Sequence, residues 1–150
     1  MENNNCIEKT YCLYASDWHL TIMLLPFISK KLQENEKIYM KFENSIEDLI
    51  KTLTNKLELK NKDEINDISW NMELNDEEYS NKERIYIISG SKEYIDENNK
   101  RIEQYYKDKE IKVKIVNCLL FSGKEDQIRA IENCKYNSLL NTKGESTIST

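Results

Sequence analysis

The chain reads as an α/β protein: a doubly wound three-layer sandwich around a mostly parallel sheet of about five strands, with one antiparallel or edge strand. Three observations predict this. Short apolar runs rich in β-favouring residues alternate with longer segments of helical periodicity, in the order β-α-β-α-β-β-α-β-α. Residues 85–88 (IYII) are apolar throughout, as in strands covered on both faces. With only 3 Gly and 1 Pro, the chain has no linker of the usual composition, so its 150 residues are read as one domain, 1–150.

Residues 11–15 (YCLYA) form the first predicted strand. Ser16 and Asp17 follow as candidate N-caps. Leu20, Met23, Leu24, Phe27, Ile28 and Leu32 then recur at helical spacing, predicting a helix to about Gln33 that Pro26 should kink or split. Residues 37–42 (KIYMKF) make a second strand. Ser45 and Asp48 resemble a capping box before a helix with Ile46, Leu49, Ile50, Leu53 and Leu57 inward. Residues 60–67 read as a charged loop. In residues 68–74, Ile68, Trp70, Met72 and Leu74 alternate with polar residues, which predicts a strand near a sheet edge. After the strand at 85–88, Ser91 caps a helix to about Lys107 with Ile95, Ile102 and Tyr106 inward. Residues 111–121 form a long strand. Ser122 and Glu125 open a last helix carrying Ile128 and Ile131, and about 142–150 is expected to be a flexible tail.

Charge narrows the function classes. The net charge is −5, and the 22 basic residues are interleaved with 27 acidic ones, so a dedicated phosphate-binding patch is not expected and neither is direct nucleic-acid binding. The start of the chain lacks a basic region followed by an apolar core. Residues 20–28 form the longest apolar stretch, far short of the ~20 residues that cross a bilayer. The expectation is a soluble cytoplasmic protein with no membrane contact. Cys6, Cys12, Cys118 and Cys134 show no C-x-x-C spacing, and His19 is the one histidine, so no metal site and no cofactor are expected. Cys12 and Cys118 fall within strands and read as buried. Cys134, beside Lys135, is the thiol most open to oxidation.

Ligands of parallel sheets bind beyond the carboxyl ends of the strands. That rule selects Ser16, Asp17, Trp18 and His19 after the first strand, Ser89, Gly90 and Ser91 after the central one, and Ser122 and Gly123 after the long one as candidate ligand-binding residues. Ser122-Gly123-Lys124 suggests a phosphate loop but fails its pattern: Cys118 stands at the first glycine position and Glu125 at the hydroxyl position. His19 could act as a base, but a polar residue in a first helical turn is the commoner reading, and no G-x-S-x-G elbow is present. No catalytic residue is assigned. Tyr14, Trp18, Tyr39, Tyr86 and Tyr136 could line an apolar pocket or simply fill the core. Trp18 and Trp70 are the candidate partner-binding residues.

The opening Cys12-Leu13-Tyr14, the helix through Leu24, Phe27 and Ile28, and Asn35-Glu36-Lys37-Ile38-Tyr39 resemble the start of the MEDS sensory domain, with its "CLLY" and "GEKCLYI" type strands. Ile115-Val116-Asn117-Cys118 and the helix through Ile131 resemble its closing section. Asn35 replaces the usual glycine. The resemblance implies a RecA-like fold without a working phosphate loop and a sensory or regulatory role directed at small organic compounds. It carries over no contact residues. The reading that follows is a non-catalytic regulatory domain that binds a small organic ligand, a protein partner or a second copy of itself. A small enzyme working at the carboxyl edge and a pure protein-interaction inhibitor are the alternatives.

Overall fold

The central strands are apolar on both sides, so each must be covered twice. In the computed structural model, which describes residues 7–70, 83–121, 136 and 138–147, they lie inside one seven-stranded sheet. The elements are β1 (Ile7–Tyr14), α1 (Asp17–Gln33), β2 (Lys37–Phe42), α2 (Glu47–Leu57), α3 (Lys62–Asn66), β3 (Ser69–Trp70), β4 (Arg84–Ser89), α4 (Lys92–Tyr106), β5 (Val113–Leu120), β6 (Ser138–Asn141) and β7 (Gly144–Thr147). The strand order is β3-β2-β4-β5-β1-β6-β7. Every described pairing is parallel except β6 with β7.

Alternation along the strands sorts the core into two layers. Cys12, Ile38, Met40, Ile85, Ile87, Val116 and Cys118 face α1, α2 and α3. Tyr39, Tyr86, Ile88, Val113 and Ile115 face α4. Ile85, Ile87, Ile88, Val113, Ile115 and Val116 are wholly buried, the result expected for strands covered on both faces. The three-layer, mostly parallel α/β architecture is therefore as expected. Ser16 and Ser91 act as the N-caps of α1 and α4, accepting from the amides of His19 and Tyr94 at 3.2 and 3.1 Å.

Several expectations need correction. The sheet has seven strands rather than about five, and its antiparallel pair is β6–β7, at the opposite edge from Trp70. Residues 144–147, expected in the tail, form β7. Gly144, at φ +109°, allows the tight reversal after Asn141, which a side chain would strain. The remainder of that tail, 148–150, lies outside the described residues. Pro26 sits inside α1 without splitting it. Its ring removes one N–H, but the packed face carrying Leu20, Met23, Leu24, Phe27 and Ile28 holds the helix on the sheet. Ser45 does not form a capping box. Ile46 is the N-cap of α2, and the Ser45 hydroxyl accepts from the Glu47 amide two residues on, at 3.0 Å. Residues 62–66 of the expected loop form α3, held by one buried side chain, Ile65. Leu57, expected inward, is 55% exposed. The second half of the alternating run, with Met72 and Leu74, and the last helix, with Glu125, Ile128, Ile131 and Cys134, lie outside the described residues.

Candidate functional site

The carboxyl edge of the sheet is where sequence reasoning places a ligand. Adjacent strands β2 and β4 send their following helices to opposite faces there, which opens a switch-point crevice in open α/β sheets. Here a carboxylate enters it. Glu43 follows β2, and its Oε1 accepts from the Ser91 amide at the start of α4, at 2.8 Å. The approach needs Gly90: a Cβ there would lie 2.7 Å from Tyr94 Cδ2 and 2.8 Å from both Glu43 Cβ and Glu43 Oε1. Negative charge at a helix start is favourable, so Glu43 takes the place an external anion would occupy.

The other candidate residues are engaged locally. Ser16 and Ser91 are caps. His19 Nδ1 accepts from the Ala15 amide at 2.8 Å, so that lone pair is not available to a proton acceptor's role. Ser89 is buried and shares a hydrogen bond with the Tyr14 hydroxyl at 3.3 Å. Burial raises the Tyr14 pKa, and the Ser89 contact opposes that shift. Asp17 begins α1 in the acid-favouring first turn. Ser122 and Gly123 lie outside the described residues. Trp18 is 51% exposed at this edge, and Leu120 and Phe121 at the end of β5 are similarly open. Trp70 is different. It is half-buried at the far edge and packs its ring on Phe42 at 5.1 Å, with β2, β4 and β5 between it and β1. The two tryptophans therefore do not form one surface.

The five aromatic residues expected to line a pocket are also dispersed. Tyr39 stacks on Tyr86 at 4.8 Å on the α4 side. The Tyr86 and Tyr106 hydroxyls share a hydrogen bond of 2.5 Å, and Arg84 Nη1 donates to Tyr106 at 3.0 Å. Burial and the Tyr106 contact push the Tyr86 hydroxyl far above its ordinary range, so Tyr86 stays protonated and structural. Tyr136 packs on Tyr11 instead, and its hydroxyl accepts from Asn117 Nδ2 at 3.0 Å. Cys12 and Cys118 are cross-strand neighbours with no exposure. Burial, and then the Cys12 contact, pushes the Cys118 thiol well above its ordinary value, so it is a poor nucleophile.

Two concavities lie elsewhere, on either side of α1. An apolar groove of about 560 Å³ runs between α1 and α2, walled by Ile22, Leu25, Pro26, Leu53, Leu57 and Leu59. Ile22 and Leu57 are 50% and 55% exposed along it. A smaller, more polar cleft of about 280 Å³ lies between α1 and the β6–β7 turn. Sequence reasoning missed both. The legible signal for the first was Ile22, an apolar residue out of phase with the buried stripe of α1. No such signal existed for the second, because its walls are more than a hundred residues apart in the chain.

Among the described residues, no group of His, Cys, Asp and Glu is arranged to hold a metal ion, and no helix is long and apolar enough to cross a membrane. Comparison with family models, with curated proteins and with solved structures found no match for this chain.

Proposed function

We propose that the chain is a non-catalytic regulatory module that acts by binding, and that its recognition surface is the groove between α1 and α2. The observation that carries this is the pair of half-exposed aliphatic side chains, Ile22 and Leu57, over an apolar groove of about 560 Å³. Covering the exposed half of one such side chain contributes about 1 kcal/mol to an association. The occupant is an amphipathic helix of a protein partner, with acidic residues flanking its apolar face. Charge supports that choice. Lys30 lines the groove, and Lys56 and Lys60 flank Leu57 and Leu59, against one acidic neighbour, Glu58. Among the described residues none of these three lysines is in an ion pair, although the protein carries a net charge of −5. The regulatory part of the proposal rests on the resemblance of residues 12–14, α1 and residues 35–39 to the opening of the MEDS sensory domain.

The test uses the full chain and a designed helical peptide, with leucines on one face and glutamates on the other. A second peptide carries lysines in place of the glutamates. Binding is followed by tryptophan emission, to which Trp18, one helical turn from Ile22, contributes. The acidic peptide should bind and the basic one should not. Ile22→Asp should weaken binding by about tenfold or more, and Lys30→Glu with Lys60→Glu should reverse the preference. Equal binding of both peptides, or binding that survives Ile22→Asp, overturns the reading.

A further inference from the structure

The cleft on the other side of α1 has a chemistry that the groove lacks. Its floor is apolar, formed by Met23, Phe27 and Leu140, each 6% exposed or less. Its rim carries Lys30, Lys31, Lys143 and Glu145, with the Lys31 ammonium 5.7 Å from the Phe27 ring centre. The carboxylate of Glu145 is fixed from below. One oxygen, Oε2, accepts from Lys114 Nζ at 2.5 Å, from Ser138 Oγ at 2.8 Å and from Thr10 Oγ1 at 3.2 Å. Lys114 is only 7% exposed and Thr10 is wholly buried, so the lower side of this network is shielded from water while the Glu145 side chain stays 23% exposed to the cleft. The other oxygen, Oε1, takes no hydrogen bond among the described residues. The Lys114 and Ser138 hydrogen bonds outweigh burial and hold the Glu145 pKa below its ordinary value, so the group is ionised at neutral pH.

The charges do not cancel within the cleft. Glu145 is balanced by Lys114, and Lys31 is drawn to Glu34 at 3.6 Å. Lys30 and Lys143 make no ion pair among the described residues. A ligand that satisfies all three features needs a carboxylate for the lysines, an adjacent donor for Glu145 Oε1 and an apolar body for the floor. The volume, near the low end of the ~300–1,000 Å³ typical of small-molecule sites, limits it to a compact molecule.

We infer that the cleft between α1 and the β6–β7 turn binds a small α-amino or α-hydroxy carboxylic acid with an apolar side chain. The carboxylate pairs with Lys30 and Lys143, the α-substituent donates to Glu145, and the side chain covers Met23, Phe27 and Leu140. The cleft shares Pro26 and Lys30 with the peptide groove, but its reading rests on Lys143, Glu145 and the apolar floor and does not depend on that one.

The experiment is an NMR titration of the isotope-labelled full chain with L-leucine and, separately, with its 2-hydroxy analogue. The controls are 4-methylpentanoate, which lacks the donor, isopentylamine, which lacks the carboxylate, and inorganic phosphate. Saturable shifts should centre on Lys143 and Gly144, and the better of the two α-substituted acids identifies the donor. Both controls that lack one group should bind more weakly by about tenfold, the value of one charge-assisted hydrogen bond. Lys143→Glu, on an exposed turn, should weaken binding by a similar factor while leaving the unliganded melting temperature within a few degrees. No saturable shift with either acid overturns the inference. So does binding unchanged in Lys143→Glu, or phosphate binding as tightly as the acids.

Discussion

Replacing Lys114 by methionine tests how the last two strands are held. Lys114 lies in β5, the central strand of the sheet, and is 7% exposed. Its ammonium meets Glu145 of β7 at 2.5 Å, across a network that includes Ser138 of β6 and Thr10 of β1. Methionine keeps most of the volume and removes the charge. Breaking a fully buried pair by deleting one partner costs about 3–5 kcal/mol. The Glu145 side chain is 23% exposed and keeps two hydroxyl donors, which places the cost near 2–3 kcal/mol. The double variant Lys114→Met with Glu145→Leu removes both charges and leaves the Thr10 and Ser138 hydroxyls paired with each other at 2.6 Å. It should lose less than the sum of the single losses, with a coupling energy of about 1–2 kcal/mol. Urea unfolding followed by circular dichroism gives the four stabilities of the cycle. The pH dependence adds a second check. The lowered Glu145 pKa means that its contribution is present above the unfolded carboxylate value and is lost as pH falls through the folded one. Lys114→Met should therefore flatten the acid limb of stability. Additive losses, or an acid limb unchanged in Lys114→Met, would refute the reasoning.

Gly90→Ala should cost about 1–3 kcal/mol by denaturant titration. The new Cβ meets Tyr94 and Glu43 below 3 Å and displaces the carboxylate from the Ser91 amide; a neutral effect would show that Glu43 is free to move. Glu36 has a raised pKa, from burial first and then from its hydrogen bond and repulsion with Glu83. Its favourable contribution is complete below the unfolded value and is lost as pH rises through the folded one, so Glu36→Gln should stabilise the chain by about 0.5 kcal/mol at pH 7 and do nothing at pH 3. Equal urea midpoints at both pH values would count against that pair. Cys12 and Cys118 should resist a thiol reagent in the native state and react once urea unfolds the chain, as read by peptide mass mapping. Ile87→Ala, in the centre of the sheet with no exposure, should cost about 2–5 kcal/mol; a loss below 1 kcal/mol would contradict the assigned packing.

Much of the frame was legible because it is local. The stripe from Leu20 to Ile28 identifies the face α1 buries, and Ser16 and Ser91 identify where two helices begin. The unbroken apolar run of β4 marks a strand buried on both sides. These signals survive because helix period, strand alternation and capping each act over a few residues. The short elements gave no such signal. One apolar residue, Ile65, cannot mark α3 in a charged segment. Residues 144–147 are polar and form a strand only because β6 offers its edge and Glu145 finds Lys114. The candidate ligand residues were chosen by a fold-level rule, and that rule could not foresee that Glu43 would enter the crevice over a glycine.

The sequence by itself determined the alternation of strands and helices, the faces they bury and the burial of the strand thiols. Those follow from hydrophobic periodicity, which each segment carries within itself. Only the tertiary structure decided where the concavities lie. The groove needs α1 and α2 side by side, and the cleft needs α1 beside a turn from the far end of the chain. Contacts of that sequence separation are set by how the layers pack, so no local pattern records them.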